Sequence, residues 1–289
     1  MSIRKYKFFR NIWYAIPVQA KYPIRQLYYF PIDLMDKLTG KSHKYVPQRG
    51  MIFTGSSVSS EKYLKEARHQ LDLLKEFAGL QPDDAVLDVG SGLGRTAIAL
   101  SGFLSEKARY EGFDVVEKGV NWCKKGIGKD FHNFNFTYVP LFNDLYNQST
   151  NSAEEFKFPY ENQIFDVTFS FSVFTHMRLA EIEHYLHEIY RVLQPSGRSL
   201  NTFFLYDDST AQEIATREGF GFPIDKGNYK LMNEKVQGAN IAIHKDEIHA
   251  MAERAGLKVE KIINGFWSTG KKSIEHPEYQ DVVVFGKKD

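Results

Sequence analysis

An α/β fold with a mostly parallel sheet and helices on both of its faces follows from three features of the sequence. Short β-branched and aromatic runs alternate with longer runs whose apolar residues recur at helical spacing. A glycine-rich turn joins the first short run to the helix after it, and the last two short runs have no helix between them. The alternation demands parallel crossovers, and the missing last helix lets the closing strands pair antiparallel at the sheet edge.

From Glu61 to Leu80, the residues Tyr63, Leu64, Ala67, Leu71, Leu74 and Phe77 keep helical spacing, and Gly79 followed by Pro82 ends the pattern. Ala85 to Val89 reads as a fully buried strand, Arg95 to Leu104 as a helix and Tyr110 to Asp114 as a second strand. Glu117 to Lys125 is a helix and Phe136 to Val139 a third strand. Phe165 to Ser170 is the fourth strand, and Leu179 to Leu193 a helix with Leu179, Ile182, Leu186, Ile189 and Leu193 on one face. Pro195 to Gly197 is a turn before a strand from Arg198 to Phe204. Lys245 to Ala255 is the last helix, stopped by Gly256, and Val259 to Ile263 and Asp281 to Gly286 are the closing strands. Three stretches lie outside the alternation. The chain therefore reads as a basic, aromatic arm or cap over residues 1–60 and one domain over 61–289, with excursions near 206–244 and 264–280. The middle stretch, long and rich in glycine, has the character of a lid or binding loop.

The 289 residues include 37 Lys and Arg against 36 Asp and Glu, a balance that argues against a surface built to hold nucleic acid. A hydrophobic fraction of 43% is enough for a sizeable core. The single cysteine, Cys123, excludes an intrachain disulfide and any multi-cysteine metal site. No apolar run reaches the roughly 18 to 20 residues of a bilayer span. The basic N-terminus is followed by a short apolar stretch broken at Pro17, without the small-residue cleavage site of a secretory signal. A cytoplasmic protein is expected.

The densest chemical signal is Val86-Leu-Asp88-Val-Gly90-Ser-Gly92-Leu-Gly94-Arg95-Thr96. Alternate glycines after a buried strand let the chain turn tightly and let a ligand approach the backbone. A dinucleotide site would want glycine where Arg95 stands. Asp114, closing the second strand, can accept both hydroxyls of a ribose, whereas Glu111 lies too early in that strand. Asp88 would be costly in a buried strand without partners, and makes sense if it orients the loop or faces a cationic ligand. A ribose, a positive centre and no phosphate describe S-adenosylmethionine.

These residues, together with Gly112-Phe-Asp114, resemble the first two motifs of class I S-adenosylmethionine-dependent methyltransferases. Phe165-Asp-Val-Thr-Phe-Ser170 through Val173-Phe-Thr-His176, and Tyr190-Arg-Val-Leu-Gln-Pro-Ser-Gly197, are similar to the family's fourth-strand and pre-fifth-strand motifs. The likeness spans about Glu61 to Phe204 and is closest to bacterial members of undefined acceptor that carry the run Ser172 to Met177. It implies a Rossmann-like, seven-stranded methyltransferase sheet, mostly parallel with an antiparallel last strand, in three α/β/α layers. It also implies a transferase that binds S-adenosyl-L-methionine and releases S-adenosyl-L-homocysteine. Carried over by position, Gly90, Ser91, Gly92 and Gly94 pass under the methionine and ribose, and Asp114 holds the ribose hydroxyls. Asp88 supports the same site, Phe113 and Val115 flank the adenine, and the carbonyls of Ser170 and Phe171 take the ammonium. One departure stands out: where many members carry an acidic residue after the third strand, this chain reads Val139-Pro140-Leu141. The adenine amino group is left to the Leu141 backbone, or to Asn143 or Asp144.

Methyl transfer from a sulfonium is an in-line displacement, so the protein supplies position and a dry pocket, and a base only when the acceptor arrives protonated. His176, a few residues past the fourth strand, is the candidate base; the competing reading has it orient the following helix. An Asn-Pro-Pro-Tyr loop for nucleobase amines is absent, Cys123 falls on a helix away from the acceptor side, and no carboxylates cluster as metal-assisted catechol chemistry requires. No metal is expected, since His184 and His187, beside Glu183 and Glu188, read as a solvated helix face. A small-molecule, glycan or lipid-linked acceptor is the leading reading. The alternative is a non-catalytic S-adenosylmethionine-binding or partner-binding protein on the same fold.

Charge is unevenly spread. Residues 1–50 hold ten Lys or Arg against Asp33 and Asp36, a net +8, so the remaining 239 residues, with 27 against 34, carry −7. Phe8, Phe9, Ile12, Trp13 and Ile16 fall on one helical face flanked by Arg4, Lys7 and Arg10. Three roles are open for this arm: a cap over the cofactor and acceptor cleft, a homodimer contact, or a peripheral contact of residues 1–30 with anionic lipid at the inner face of the membrane.

Overall fold

The computed structural model describes residues 16, 18–52, 59–143, 145 and 149–288, which divide at Pro140 into two compact units. Seven strands form one mostly parallel sheet in an α/β arrangement, the class expected. The arm positions Phe8, Phe9, Ile12 and Trp13 lie outside the described residues.

The first unit opens with helix α1 (Val18–Leu38) and a 3₁₀ turn at Arg49–Met51. Helix α2 (Ser60–Phe77) is capped by the Ser59 side chain and buries Tyr63, Ala67, Leu73 and Leu74. It stops three residues short of the predicted end, because Gly79 turns left-handed (φ +70°) and Leu80 N–H bonds back to the Leu74 carbonyl at 3.2 Å. Then follow β1 (Ala85–Val89), α3 (Arg95–Leu100), β2 (Arg109–Asp114), α4 (Glu117–Lys125), the short α5 (Ile127–Asp130) and β3 (Phe134–Tyr138). Strand β2 pairs in parallel with β1 (Asp88 opposite Gly112) and with β3 (Gly112 opposite Phe136). Helix α3 is shorter than predicted, since the chain after Leu100 closes in tight turns at Gly102 and Phe103. The end of the arm joins this core. Val46 and the wholly buried Ile52 pack with Tyr63 and with Leu93 of the glycine loop, and the Tyr45 hydroxyl donates to Asp130 at 2.6 Å.

The second unit contains β4 (Phe165–Ser170), α6 (Leu179–Val192) and β5 (Leu193–Phe203). The predicted turn at Pro195 to Gly197 is absorbed into β5 as an irregularity. Leu193 pairs with Phe165 and Arg198 with Val167, so the residues between them loop out of register. The excursion that followed in the sequence reading is not an open loop. It builds β6 (Leu205–Tyr206), α7 (Ala211–Thr216), β7 (Ile224–Asp225), β8 (Tyr229–Leu231) and β9 (Ile241–His244), with a four-stranded sheet in the order β6-β9-β8-β7. Its aromatic density explains why: Phe204, Tyr206, Phe222, Met232 and Trp267 form a core of their own. Helix α8 (Lys245–Arg254) leads to β10 (Leu257–Ile263) and β11 (Asp281–Lys287), which pair antiparallel, and β11 also pairs antiparallel with β5. Buried Asp281 fastens the small sheet and the 264–280 stretch to β11. It accepts the amides of Leu205 and Gly265, each at 2.7 Å, and the Trp267 indole N–H at 2.5 Å.

Candidate active site

The end of β1 is a corner made of backbone. Gly90, Gly92 and Gly94 all have positive φ (+84°, +56° and +75°), so alternate residues take conformations that side chains disfavour. A Cβ on Gly94 would also stand 2.9 Å from the Cys123 sulfur. The loop amides point into β2. Gly90 and Ser91 N–H donate to the Phe113 carbonyl at 2.9 and 3.0 Å, and Gly92 N–H donates to Asp114 Oδ2 at 2.8 Å. The other Asp114 oxygen accepts Val116 N–H at 2.7 Å. Asp88, at the foot of the corner, accepts the Tyr110 hydroxyl at 2.7 Å, and the Tyr110 ring stacks on Phe134 with centroids 4.6 Å apart. Gly112 leaves room for both groups, since a Cβ there would lie 2.9 Å from the Tyr110 oxygen and 3.0 Å from Ser91 Cβ. Beside the loop, the Arg95 guanidinium lies 4.8 Å from the Tyr63 ring centroid.

Burial dominates the electrostatics here. It pushes the Asp88 carboxyl up to about 7, with the Tyr110 hydroxyl opposing and the Asp114 charge adding to the rise. It pushes Asp114 up to about 6 against the pull of its backbone donors. The Cys123 thiol is raised as well, which makes it a packing group beneath the loop rather than a nucleophile.

The end of β4 is a corner made of side chains. Thr168, Ser170, Ser199 and Asn201 are wholly buried. Ser170 Oγ donates to Asn201 Oδ1 (2.8 Å), Asn201 Nδ2 to Ser199 Oγ (2.7 Å) and Thr168 Oγ1 to the same Ser199 oxygen (2.7 Å). After half-buried Phe171 the chain turns at Ser172, which is left-handed (φ +59°). Its N–H donates to Thr202 Oγ1 at 2.7 Å and its hydroxyl to Gln280 Oε1 at 2.8 Å. A 3₁₀ turn, Phe174–His176, follows. There His176 Nδ1 meets the Gly238 carbonyl at 2.8 Å, and Asn143 Nδ2 donates to the His176 carbonyl at 3.1 Å.

Leu141 is buried and bridges to Asn151. Asn143 has its amide on the His176 carbonyl, while Asp144 lies outside the described residues. The helix face around His184 and His187 differs from expectation. His184 bonds to the Phe156 carbonyl at 2.9 Å, Glu188 is buried against Phe158 N–H and Arg191, Glu183 pairs with Arg254, and His187 alone of the four is exposed. The face is therefore structural rather than solvated. Among the described residues no group of three or more His, Cys, Asp or Glu is placed to hold a metal ion.

Residues 87–200 match the family model of a methyltransferase domain, which covers both corners. Residues 87–200 therefore carry a methyltransferase domain, on the seven-stranded α/β fold expected of it. Sterol methyltransferase-like 3 of Botryococcus braunii is 29% identical to it over 168 residues, 57% of this chain and only 35% of that protein's length. Among solved structures, the PH0226 protein of Pyrococcus horikoshii OT3 is 18% identical with a TM-score of 0.52, covering 79% of this chain and 92% of that one. The 1,6-didemethyltoxoflavin-N1-methyltransferase of Burkholderia thailandensis is 16% identical with a TM-score of 0.50, covering 80% of each chain. At these identities the two structures speak for the fold.

The methyltransferase fold implies S-adenosylmethionine, and the residues present suit it. The Ser91 hydroxyl is buried at the glycine corner with no hydrogen-bond partner, and Gly90 and Gly92 put no side chain between the backbone and a ligand. Asp114 accepts the Gly92 and Val116 amides on its two oxygens, with the Val115 amide also acting on it, and a carboxylate's four lone-pair sites leave room for a hydroxyl. The motif residues Asp88, Gly90, Ser91, Gly92, Gly94, Phe113, Asp114 and Val115 lie together in the first unit, with Phe113 acting on the loop through its carbonyl. Leu141, Ser170, Phe171 and His176 belong to the second. Sequence reasoning missed Tyr110, Ser172 and Gly238 as supports. Gly112 carried a usable signal, because glycine inside a strand marks a close approach.

Proposed function

We propose that this methyltransferase domain methylates a small-molecule, glycan or lipid-linked acceptor, with His176 receiving a proton from an acceptor that arrives protonated. The 2.8 Å bond between His176 Nδ1 and the Gly238 carbonyl carries the role. A carbonyl can only accept, so Nδ1 holds the proton and Nε2 is the basic nitrogen of the neutral ring. The bond also fixes the ring orientation, as a positioned base requires.

S-adenosylmethionine supplies a methyl group on a sulfonium. Gly90, Ser91, Gly92 and Gly94 line its methionine and ribose, Asp114 accepts the ribose hydroxyls, and Asp88, bonded to the Tyr110 hydroxyl, supports the loop from below. Phe113, Val115 and Leu141 serve the adenine, and the Ser170 and Phe171 carbonyls the ammonium. A lipid-class acceptor is supported by the likeness to Sterol methyltransferase-like 3.

Calorimetry with S-adenosylhomocysteine should detect binding, and Asp114→Asn should weaken it by about 10- to 100-fold, the worth of charge-assisted bonds. Radiolabelled methyl transfer into cell extracts, partitioned between water and organic solvent, should then give a labelled product and assign its class. His176→Asn should lower kcat by about 10² to 10⁴ while leaving cofactor affinity unchanged. Unchanged turnover removes His176 as the base. Tight cofactor binding without any labelled product makes the chain a binder.

A further inference from the structure

Helix α1 has its polar side turned in and its apolar side turned out. Arg25, Tyr29, Asp33 and Asp36 are the half-buried residues of its second half and middle, spaced to share one face. Arg25 donates to the Ile52 carbonyl. Asp33 accepts the amides of Arg49 (2.9 Å) and Gly50 (3.2 Å), and Asp36 pairs with the Arg49 guanidinium. The docking is close, since a Cβ on Gly50 would lie 2.7 Å from Gln26 Cα.

The opposite side carries Leu27, Tyr28, Phe30, Leu34, Met35 and Leu38, exposed by 44% to 80%. At about 100° per residue they fan over roughly 160° of the helix, a continuous apolar face. Apolar residues scattered singly on a surface need no explanation, but a contiguous set of this size marks an interaction surface.

We propose that this face seats the protein on an anionic lipid bilayer. Charge selects the partner. Residues 1–50 carry a net +8; their only two acids, Asp33 and Asp36, are turned inward onto Arg49; and no Asp or Glu follows until Glu61. Exposed Lys37 and Lys41 stand at the C-terminal end of the apolar face, where ammonium groups meet lipid phosphates while the apolar side chains enter the acyl boundary. A second copy would bring a +8 segment against another +8 segment, which opposes a dimer through this face. No described helix is long and apolar enough to cross a membrane, so α1 lies along the surface. The contact reaches Leu38, beyond the residues 1–30 considered from sequence, and it is independent of the methyl-transfer reading.

Co-sedimentation of the full chain with phosphatidylcholine vesicles, with and without about one third phosphatidylglycerol, tests the proposal. Binding is expected only to the anionic vesicles, falling at least about fivefold when salt is raised from about 0.05 to about 0.5 M. The triple variant Leu27→Ser, Phe30→Ser, Leu38→Ser should lose about 30-fold or more in partitioning with its melting temperature preserved. If the triple variant melts early, Leu27→Ser alone, at the most exposed position, should still lose about threefold. The proposal is overturned if the wild-type chain ignores anionic vesicles, binds neutral ones equally, or is matched by these variants. A dimer that the triple variant dissolves in sedimentation equilibrium would overturn it in favour of a second copy.

Discussion

The corners where β1 and β4 end solve the same geometrical problem with different materials. At the first, the chain turns on three glycines, and the supports are carbonyls and carboxylates of the strand next door. At the second, it turns on a serine held in the left-handed region, and the supports are the side chains of Thr202 and Gln280, 30 and 108 residues away, and the Gly238 carbonyl beyond His176. A corner made of backbone is tolerant of what surrounds it but intolerant of any added Cβ. A corner made of side chains has the reverse sensitivities.

Gly94→Ala should produce the largest effect. The substitution combines a positive φ of +75° with a Cβ placed 2.9 Å from a buried sulfur. Backbone strain and overpacking together predict a loss of about 3 to 5 kcal/mol in unfolding free energy, read by urea denaturation. Adding Cys123→Ala should relieve the overpacking share and leave the strain. A Gly94→Ala cost as large in the Cys123→Ala background as in the wild type would mean that the sulfur contact does not matter.

This contrast also explains what was legible. The glycine corner, Asp114 and the succession of strands and helices around them were readable because they are local: a buried strand, alternate glycines and a carboxylate at the end of the next strand stand within 30 residues. The small sheet over 205–244 was read as an excursion because its strands are two to four residues long, too short for periodicity to register, and its core forms only when Trp267 joins Phe204 and Phe222. Helix α1 was not read from the sequence, where the helical face identified in the arm lay N-terminal to it. Periodicity identifies faces, but the docking of Asp33 on the amides of Arg49 and Gly50 decides which face turns inward. His176 stood out as a candidate by its position after β4, whereas the Gly238 carbonyl that holds its ring gave no signal at all.

The two corners should also differ in their response to pH. Asp88 has a folded pKa near 7, above the value near 4 of an unfolded chain. The folded state therefore keeps a proton that the unfolded state releases, and unfolding free energy falls as pH rises from about 4 to about 7, with the penalty complete above that. Asp88→Asn removes the charge and keeps an acceptor for the Tyr110 hydroxyl. At pH about 8 it should stabilise the apo protein by about 2 to 3 kcal/mol, several degrees in Tm, and near pH about 4 the gain should vanish. The hydroxyl and amide ladder under β4 has no titrating group. Asn201→Ala should accordingly cost about 1 to 3 kcal/mol at either pH. A pH-dependent loss for Asn201→Ala, or a pH-independent gain for Asp88→Asn, would erase the distinction.

The smallest effect isolates the strain at Ser172. Both Ser172→Ala and Ser172→Gly delete the exposed hydroxyl bond to Gln280, but only glycine relaxes the backbone at φ +59°. The Gly variant should therefore be more stable than the Ala variant by about 1 kcal/mol, measured as a difference in denaturation midpoints at equal slope. That difference is independent of the lost hydroxyl, which is common to both. An Ala variant as stable as the Gly variant would mean that the bond from Ser172 N–H to Thr202 does not hold the turn left-handed, and that the second corner relaxes when its hydroxyl is removed.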